Sequence, residues 1–342
     1  MALLPCLVAL ASAVLLAAAL SFASGADPIA AVAALVEGSV GSITSVAQTL
    51  VKTTPLILTG IAVMVGFQSG VFNIGAEGQF LVGALVATAI GVGFEPFFGQ
   101  AVLALLGGAV AGALWASVAA TLRIRRGVHE VITTILLNFI ALYLVSWAVA
   151  GPLQEASGSY PQSDRLAPTA LLWKLPSTRV HAGVVLAFAI AAIAGLVMSR
   201  TRLGVRLRAS GLNPIASRFA GFPVRRDLAV AFALSGALAG VAGAVEVAGV
   251  TGRLFERIAS GYGYTAIAIA LLGGLRAPGV VAAALFFAAL STGAGAMERS
   301  AGVSSVMVLA VQGATLLAIA LLNEKVRRRF LPEATGGGAD AA

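Results

Sequence analysis

Charge is scarce in this chain. Asp, Glu, Lys and Arg make up 11% of its 342 residues, where an ordinary soluble domain carries about a quarter. With 59% hydrophobic residues and a mean hydropathy of +0.98, there is too little polar surface to coat a soluble globule. A soluble enzyme, a nucleic-acid binder and a disordered chain are thereby excluded. Cysteine is limited to Cys6, so an internal disulfide and a cysteine metal cluster are excluded. Cys6 reads as a small apolar residue, since neither a basic start nor an apolar run precedes it as in a lipid-attachment site. There are two histidines, placed at opposite membrane faces, and His129-Glu130 is followed by Thr133 where a zinc-protease motif needs histidine. No metal site is expected. No Gly-Lys dipeptide occurs, so the phosphate-cradling loop of P-loop ATPases is missing. No carboxylate pair, and no nucleophile with its base, supports intramembrane catalysis.

What is present is apolar length. Runs cover roughly 2–23, 55–66, 79–94, 100–122, 131–150, 182–198, 228–249, 264–275, 279–296 and 304–322. The sequence therefore predicts an all-α polytopic membrane protein of about ten transmembrane helices. Several runs are short or cut by Gly and Pro, which predicts broken or re-entrant helices. Residues 2–23 read as a retained span; a cleaved signal peptide is the rival, disfavoured because no basic residue precedes the run. With both termini inside, fifteen of the 22 Lys and Arg residues fall on the cytoplasmic side, as basic residues do. The net charge of +8 is then a signature of topology and not of nucleic acid. The membrane domain is expected over 1–330, with an external loop at 151–181, a further outside stretch at 24–54, a cytoplasmic loop at 199–227 and a disordered tail at 331–342.

Three polar features stand out. Between the second and third runs lies Gly66-Phe67-Gln68-Ser69-Gly70-Val71-Phe72-Asn73-Ile74-Gly75-Ala76-Glu77-Gly78-Gln79-Phe80. Its glycines disfavour a continuous helix, and Asn73, Glu77 and Gln79 sit at the edge of an apolar run. The segment is either a broken helix forming a solute site or an interfacial turn. Glu246 lies inside an apolar span, where a carboxylate must pair, protonate or face water; it serves either a solute or a neighbouring helix. Asn138 and Gln312 also lie within spans and read first as interhelical hydrogen-bonding groups. In the basic cytoplasmic loop, Asn213 as N-cap, Pro214 at the first helical position and Gly221 at the end predict a short helix over 214–220. Such a helix suits docking to a partner protein or contact with membrane lipid. The pairs Gly236/Gly240 and Gly240/Gly243, and Ala111-Gly112-Ala113, suit close helix approach.

The block Val71-Phe72-Asn73-Ile74-Gly75-Ala76-Glu77-Gly78-Gln79 resembles permease subunits of bacterial ABC importers for nucleosides and simple sugars, in the branched-chain amino acid/ribose permease superfamily. His129 through Asn138, Gly204 through Gly221, and Ser260 through Gly274 are similar to three further family stretches in the same order. The resemblance covers about 50–325. It implies a solute pathway involving Phe72, Asn73, Glu77, Gln79, Asn138 and Glu246. It implies a coupling helix carrying Gly211, Leu212, Asn213, Pro214, Ala216, Ser217, Ala220 and Gly221. It also implies partners: a cytoplasmic ABC ATPase that binds the ATP, a second permease subunit (a paralogue forming a heterodimer), and an extracytoplasmic substrate-binding lipoprotein. The chain itself would hold no cofactor and would reside in the bacterial inner membrane. The alternative is a self-contained secondary transporter or channel for a small polar solute.

Overall fold

In the computed structural model the described residues are 27–301, with the isolated positions 18, 22 and 313. The runs at 2–23 and 304–322, with Cys6, Gln312 and the 331–342 tail, lie outside them. The described chain is helical, with only isolated β-bridges in its loops. Its helices are α1 (Pro28–Val40), α2 (Ile43–Gln68), α3 (Ala76–Gly93), α4 (Gln100–Arg126), α5 (Glu130–Ala150) and α6 (Ala182–Arg200), then α7 (Arg202–Leu212), α8 (Pro214–Phe219), α9 (Val224–Val245), α10 (Tyr262–Leu272) and α11 (Ala277–Ala301). A π-helical turn, Glu246–Thr251, extends α9.

Seven helices among the described residues are long and apolar enough to cross a membrane: α2 to α6, α9 with its π turn, and α11. Of the ten predicted runs, eight fall on described residues. The eighth, 264–275, is the 11-residue α10. At 1.5 Å per residue it is about 16 Å long, roughly half the hydrocarbon thickness.

The stretch 24–54, expected as an outside loop, is instead helical from Pro28, and the second span begins at Ile43. Its threonines explain the difference. Thr53 and Thr54 donate their hydroxyls to the carbonyls of Thr49 and Leu50, at 2.7 and 3.1 Å. Back-bonding of this kind lets a polar residue be buried in a helix without water. Pro55 sits inside the same helix, where neighbouring helices cover the backbone it disturbs.

The chain divides into two compact units, Ser42–Ala289 and Met1–Gly41 with Leu290–Ala342. In the second, Gly38 faces Ala296 and Gly293 faces the Leu35 carbonyl. In the first, α9 is central and packs most closely on α4, α3 and α2. The crossing of α9 with α3 and α4 is built on absent side chains. Gly240 approaches Gly83 on α3 and the carbonyl of Gly108 on α4, Gly236 meets Gly112, and Gly243 meets the carbonyl of Phe80. Lipid offers no hydrophobic drive between helices, so their association rests on such backbone-to-backbone packing. The predicted small-residue pairs are the contact surface.

Hydrogen bonds define the two ends of this unit. At one end Gly70 touches Gly211, Arg123 bonds Glu130 at 2.6 Å, and Arg206 bonds Asp227 at 2.7 Å. At the other, the 151–181 loop is tied down: the N–H of Ala167 donates to Gly91, that of Leu166 to Gly252 and that of Leu172 to Ala248. Hydrogen bonds from Gln162 and Ser157, then Arg253 at 2.5 Å, hold the Glu155 carboxyl below the usual carboxylate range. The loop is thus ordered, by pairing with the segment that follows the π turn.

A Cβ at position 240 would collide with the Gly108 backbone, whereas one at Gly93 meets nothing within 4 Å. Gly240→Ala is therefore expected to lower thermal stability in detergent by about 1–3 kcal/mol, the usual range for overpacking. Gly93→Ala should melt with the wild type; size-exclusion thermal-melt curves of the two proteins check this.

Candidate functional site

The break between α2 and α3 is where polar chemistry collects. After Gln68 the chain turns at Ser69–Gly70, with Gly70 at φ +69°, and returns as an extended strand before α3 starts at Ala76. This return carries Asn73 into the bundle. Its Nδ2 donates to Ser235 Oγ at 2.9 Å, and Ser235 donates to the Ala62 carbonyl at 2.8 Å. Ser235 is eleven residues into α9, about 17 Å from its start at 1.5 Å per residue. The break therefore runs from the end of the bundle, where Gly70 meets Gly211, inward to the level of Ser235.

At that depth every exposed backbone group needs a partner, and side chains supply them. Asn73 and Gln79 form a closed amide pair: Asn73 Nδ2 donates to Gln79 Oε1, and Gln79 Nε2 donates to Asn73 Oδ1, both at 3.0 Å. Asn73 Oδ1 also accepts the Gly75 N–H at 3.0 Å. From α5, Asn138 Oδ1 accepts the Gly78 N–H at 2.8 Å and its Nδ2 donates to the Ile74 carbonyl at 3.0 Å and to Tyr264 Oη at 3.3 Å. Glu77 accepts from the N–H groups of Gly261 and Gly263, at 2.9 and 2.6 Å. Those are the orphan donors at the start of α10. Two helices, the full-length α3 and the short α10, thus begin inside the bundle, with the first turn of one capping the first turn of the other. Gly263 is required here, because it lies against the Glu77 backbone.

Glu246 is placed differently. It is 7% exposed, and among the described residues its carboxylate has neither a hydrogen bond nor an ion-pair partner. It opens the π turn, a local widening that recurs at functional sites. The turn is seated on the 151–181 loop, with Gly249 packed on the ring of His181. Tyr262, at the start of α10, contacts the ring of Phe80 at a centroid distance of 5.6 Å.

Among the pathway residues expected from the sequence, the fold thus joins Asn73, Glu77, Gln79 and Asn138 into one network, and no hydrogen bond among the described residues ties Glu246 to it. Phe72 stands apart, 56% exposed and in ring contact with Phe67. Ser235, Tyr262 and Tyr264 belong to the site and were not singled out from the sequence. Ser235 is a lone hydroxyl in an apolar helix, and the tyrosines lie in the 260–274 block, where their facing partners could not be known. Among the described residues no group of His, Cys, Asp or Glu could hold a metal ion.

The second site is the predicted short helix, observed as α8 over Pro214–Phe219. Asn213 Oδ1 accepts the N–H groups of Ile215 and Ala216, at 3.1 and 2.9 Å, so the cap is as expected. The helix is braced from behind. Asp227, buried at the start of α9, takes Arg206 and the Ser210 hydroxyl (3.0 Å) of α7, and Gly211 lies on the Ser69–Gly70 backbone. Ser217 turns inward and is buried; Gly211 is half-buried, and Asn213, Pro214, Ala216, Ala220 and Gly221 are exposed. The outer face carries Leu212, Ile215 and Phe219, which are 87%, 65% and 90% exposed. Ile215 and Phe219 were missed because a six-residue helix has no periodicity from which to read a face.

A bundle of long apolar helices around a broken segment from which a long and a short helix begin inside it is the construction of a solute permease. A family profile described as branched-chain amino acid transport system / permease component matches residues 45–320, and the chain belongs to that family: it is a multi-pass permease subunit of the ABC-importer type. It is 39% identical to the glucose ABC transporter permease protein TsgB13 of Haloferax volcanii over 85% of this chain and 80% of that one. It is 38% identical to the guanosine ABC transporter permease protein NupP of Bacillus subtilis over 87% of each. A second Bacillus subtilis guanosine permease protein, NupQ, is 30% identical over 71% of this chain and 79% of its own length. No solved structure is significantly similar to the chain.

Removing one member of the central network leaves others buried and unsatisfied. Asn73→Ala is expected to cost about 1–3 kcal/mol of stability. Asn73→Ala/Gln79→Ala should lose less than the sum of the two single changes, since the amide pair is removed as a unit. Thermal unfolding of the four proteins in one detergent measures the difference.

Proposed function

We propose that this chain is one permease subunit of a bacterial inner-membrane importer for nucleosides or simple sugars, moved by ATP hydrolysis on separate subunits. The observation that carries the proposal is the exposed apolar face of α8, set among arginines at the aqueous end of the bundle. Apolar side chains so exposed mark a surface that a partner covers. In this reading the end carrying Arg123, Arg200 to Arg226 and Arg276 is cytoplasmic, in keeping with the distribution of basic residues. The ATPase grips Leu212, Ile215 and Phe219. Movement passes through α7 and the Gly70–Gly211 contact to the re-entrant strand that holds Asn73. ATP is bound by the partner alone.

The solute would pass beside Glu246 and Tyr262. Both can hydrogen-bond sugar hydroxyls, groups that nucleosides and simple sugars share. Glu77, Asn73 and Asn138 are occupied by backbone partners and serve as the frame of the pathway. That two proteins of one organism, NupP and NupQ, are both named guanosine ABC transporter permease proteins and are both similar to this chain supports a paralogous second permease subunit. A substrate-binding lipoprotein would dock over the 151–181 loop.

Ile215→Asp/Phe219→Asp is expected to abolish co-purification of the ATPase in mild detergent while the permease still inserts and folds. Transport by the purified chain alone in liposomes without ATP would overturn the proposal in favour of a self-contained transporter. Glu246→Gln should reduce uptake of labelled guanosine or glucose at least about tenfold, the worth of one charge-assisted hydrogen bond, with membrane yield unchanged. Equal loss of uptake and yield would assign Glu246 to helix packing.

A further inference from the structure

One large cavity, of about 720 Å³, lies away from the polar network, where α2, α6 and α7 meet the start of α11. Its wall is chiefly hydrocarbon, from Met64, Phe188, Ala192, Leu196 and Val281. It is also open at the side: Leu196 is 61% exposed, on an α6 whose apolar surface is mostly uncovered. Polar groups enter it from Arg208, Arg276 and Gln68. Among the described residues neither arginine has an acidic partner, and Arg208 reaches only the Gly204 carbonyl, at 3.4 Å. Gln68 donates its Nε2 to the Leu275 carbonyl, which leaves its buried Oε1 without a donor. Gly195 and Ala277 pack together and bring α6 against α11 next to Arg276. The result is an apolar slot open along its flank, with two unpaired cations and one unfilled hydrogen-bond acceptor.

We propose that this slot is a binding site for an anionic phospholipid of the inner leaflet. The phosphate would sit between Arg208 and Arg276, a headgroup hydroxyl would donate to Gln68 Oε1, and an acyl chain would lie along Phe188, Ala192 and Leu196. The charge complementarity selects the occupant. Basic pockets between membrane helices on the cytoplasmic side take anionic headgroups, while a neutral apolar segment filling the slot would leave both guanidinium groups unmatched. Arg208 lies on α7, the helix that carries α8. A lipid held there ties the ATPase-facing elbow to the membrane surface and makes the stability of this elbow depend on membrane composition. The site is independent of which solute is carried.

The test is native mass spectrometry and thermal melting of the full-length chain in detergent, titrated with phosphatidylglycerol or phosphatidylcholine of equal chain length. The wild type is expected to retain phosphatidylglycerol with a preference of roughly tenfold, as two arginines at an anionic headgroup provide. Arg208→Gln/Arg276→Gln should lose that preference, and the exposed Arg202→Gln should keep it. Ala192→Trp, which fills the slot and leaves both arginines, should also lose retention; it keeps the test decisive if the double variant folds poorly. Absence of a preference in the wild type, as when another part of the chain fills the slot, overturns the proposal. So does a preference that survives the double variant, or equal stabilisation by glycerol phosphate, which has no acyl chain.

Discussion

A backbone amide inside an apolar slab must find a partner within the protein, because no water is there to supply one. The rest of this structure follows from meeting that demand at one place. The strand between α2 and α3 carries unpaired backbone into mid-bundle, and the first turn of α10 adds more. Asn73, Asn138 and Glu77 answer both, each through side-chain atoms bonded to the backbone of another element or of the strand itself. The first turns of α3 and α10 hold one another in place. Neither could start at that depth in isolation.

Close approach is the second half of the construction. Side-chain amides span only a few ångströms, so the network needs α3, α4 and α9 to cross with their backbones nearly touching. Gly83, Gly108, Gly112, Gly236, Gly240 and Gly243 permit this. It also explains why a chain so rich in hydrophobic residues has a core dominated by alanine and glycine at its densest crossing: bulk there would push Ser235 away from Asn73 and leave both unsatisfied. The same economy of contact appears where Gly211 lies on Gly70, which gives the α7–α8 elbow a bearing on the re-entrant segment.

Parts of this could be read directly. The break at 69–75 followed from glycine spacing and the polar triplet Asn73, Glu77 and Gln79. The short helix followed from Asn213-Pro214, since a cap is a local property of three or four residues. Helix identity followed from apolar length for seven of the eight runs on described residues. Other parts resisted for physical reasons. The threonine-rich start of α2 looked too polar to be buried because hydropathy scales charge each hydroxyl as though it faced lipid, whereas here it returns to its own helix. Glu77 and Glu246 looked alike as intramembrane carboxylates; their environments separate them, one bonded by two backbone N–H groups and one without a hydrogen-bond or ion-pair partner among the described residues.

Sequence alone determined that this protein is a helical membrane protein, that its chain breaks near 69–75, and which residues carry polarity into the apolar region. Those are consequences of composition and short-range geometry, which neighbouring residues set. The tertiary structure alone decided which carboxylate is frame and which is free, which face of α8 is bare, and that two arginines 68 residues apart share one apolar slot. Each of these depends on what lies opposite a side chain across a helix crossing, and that distance is fixed by packing and not by order along the chain.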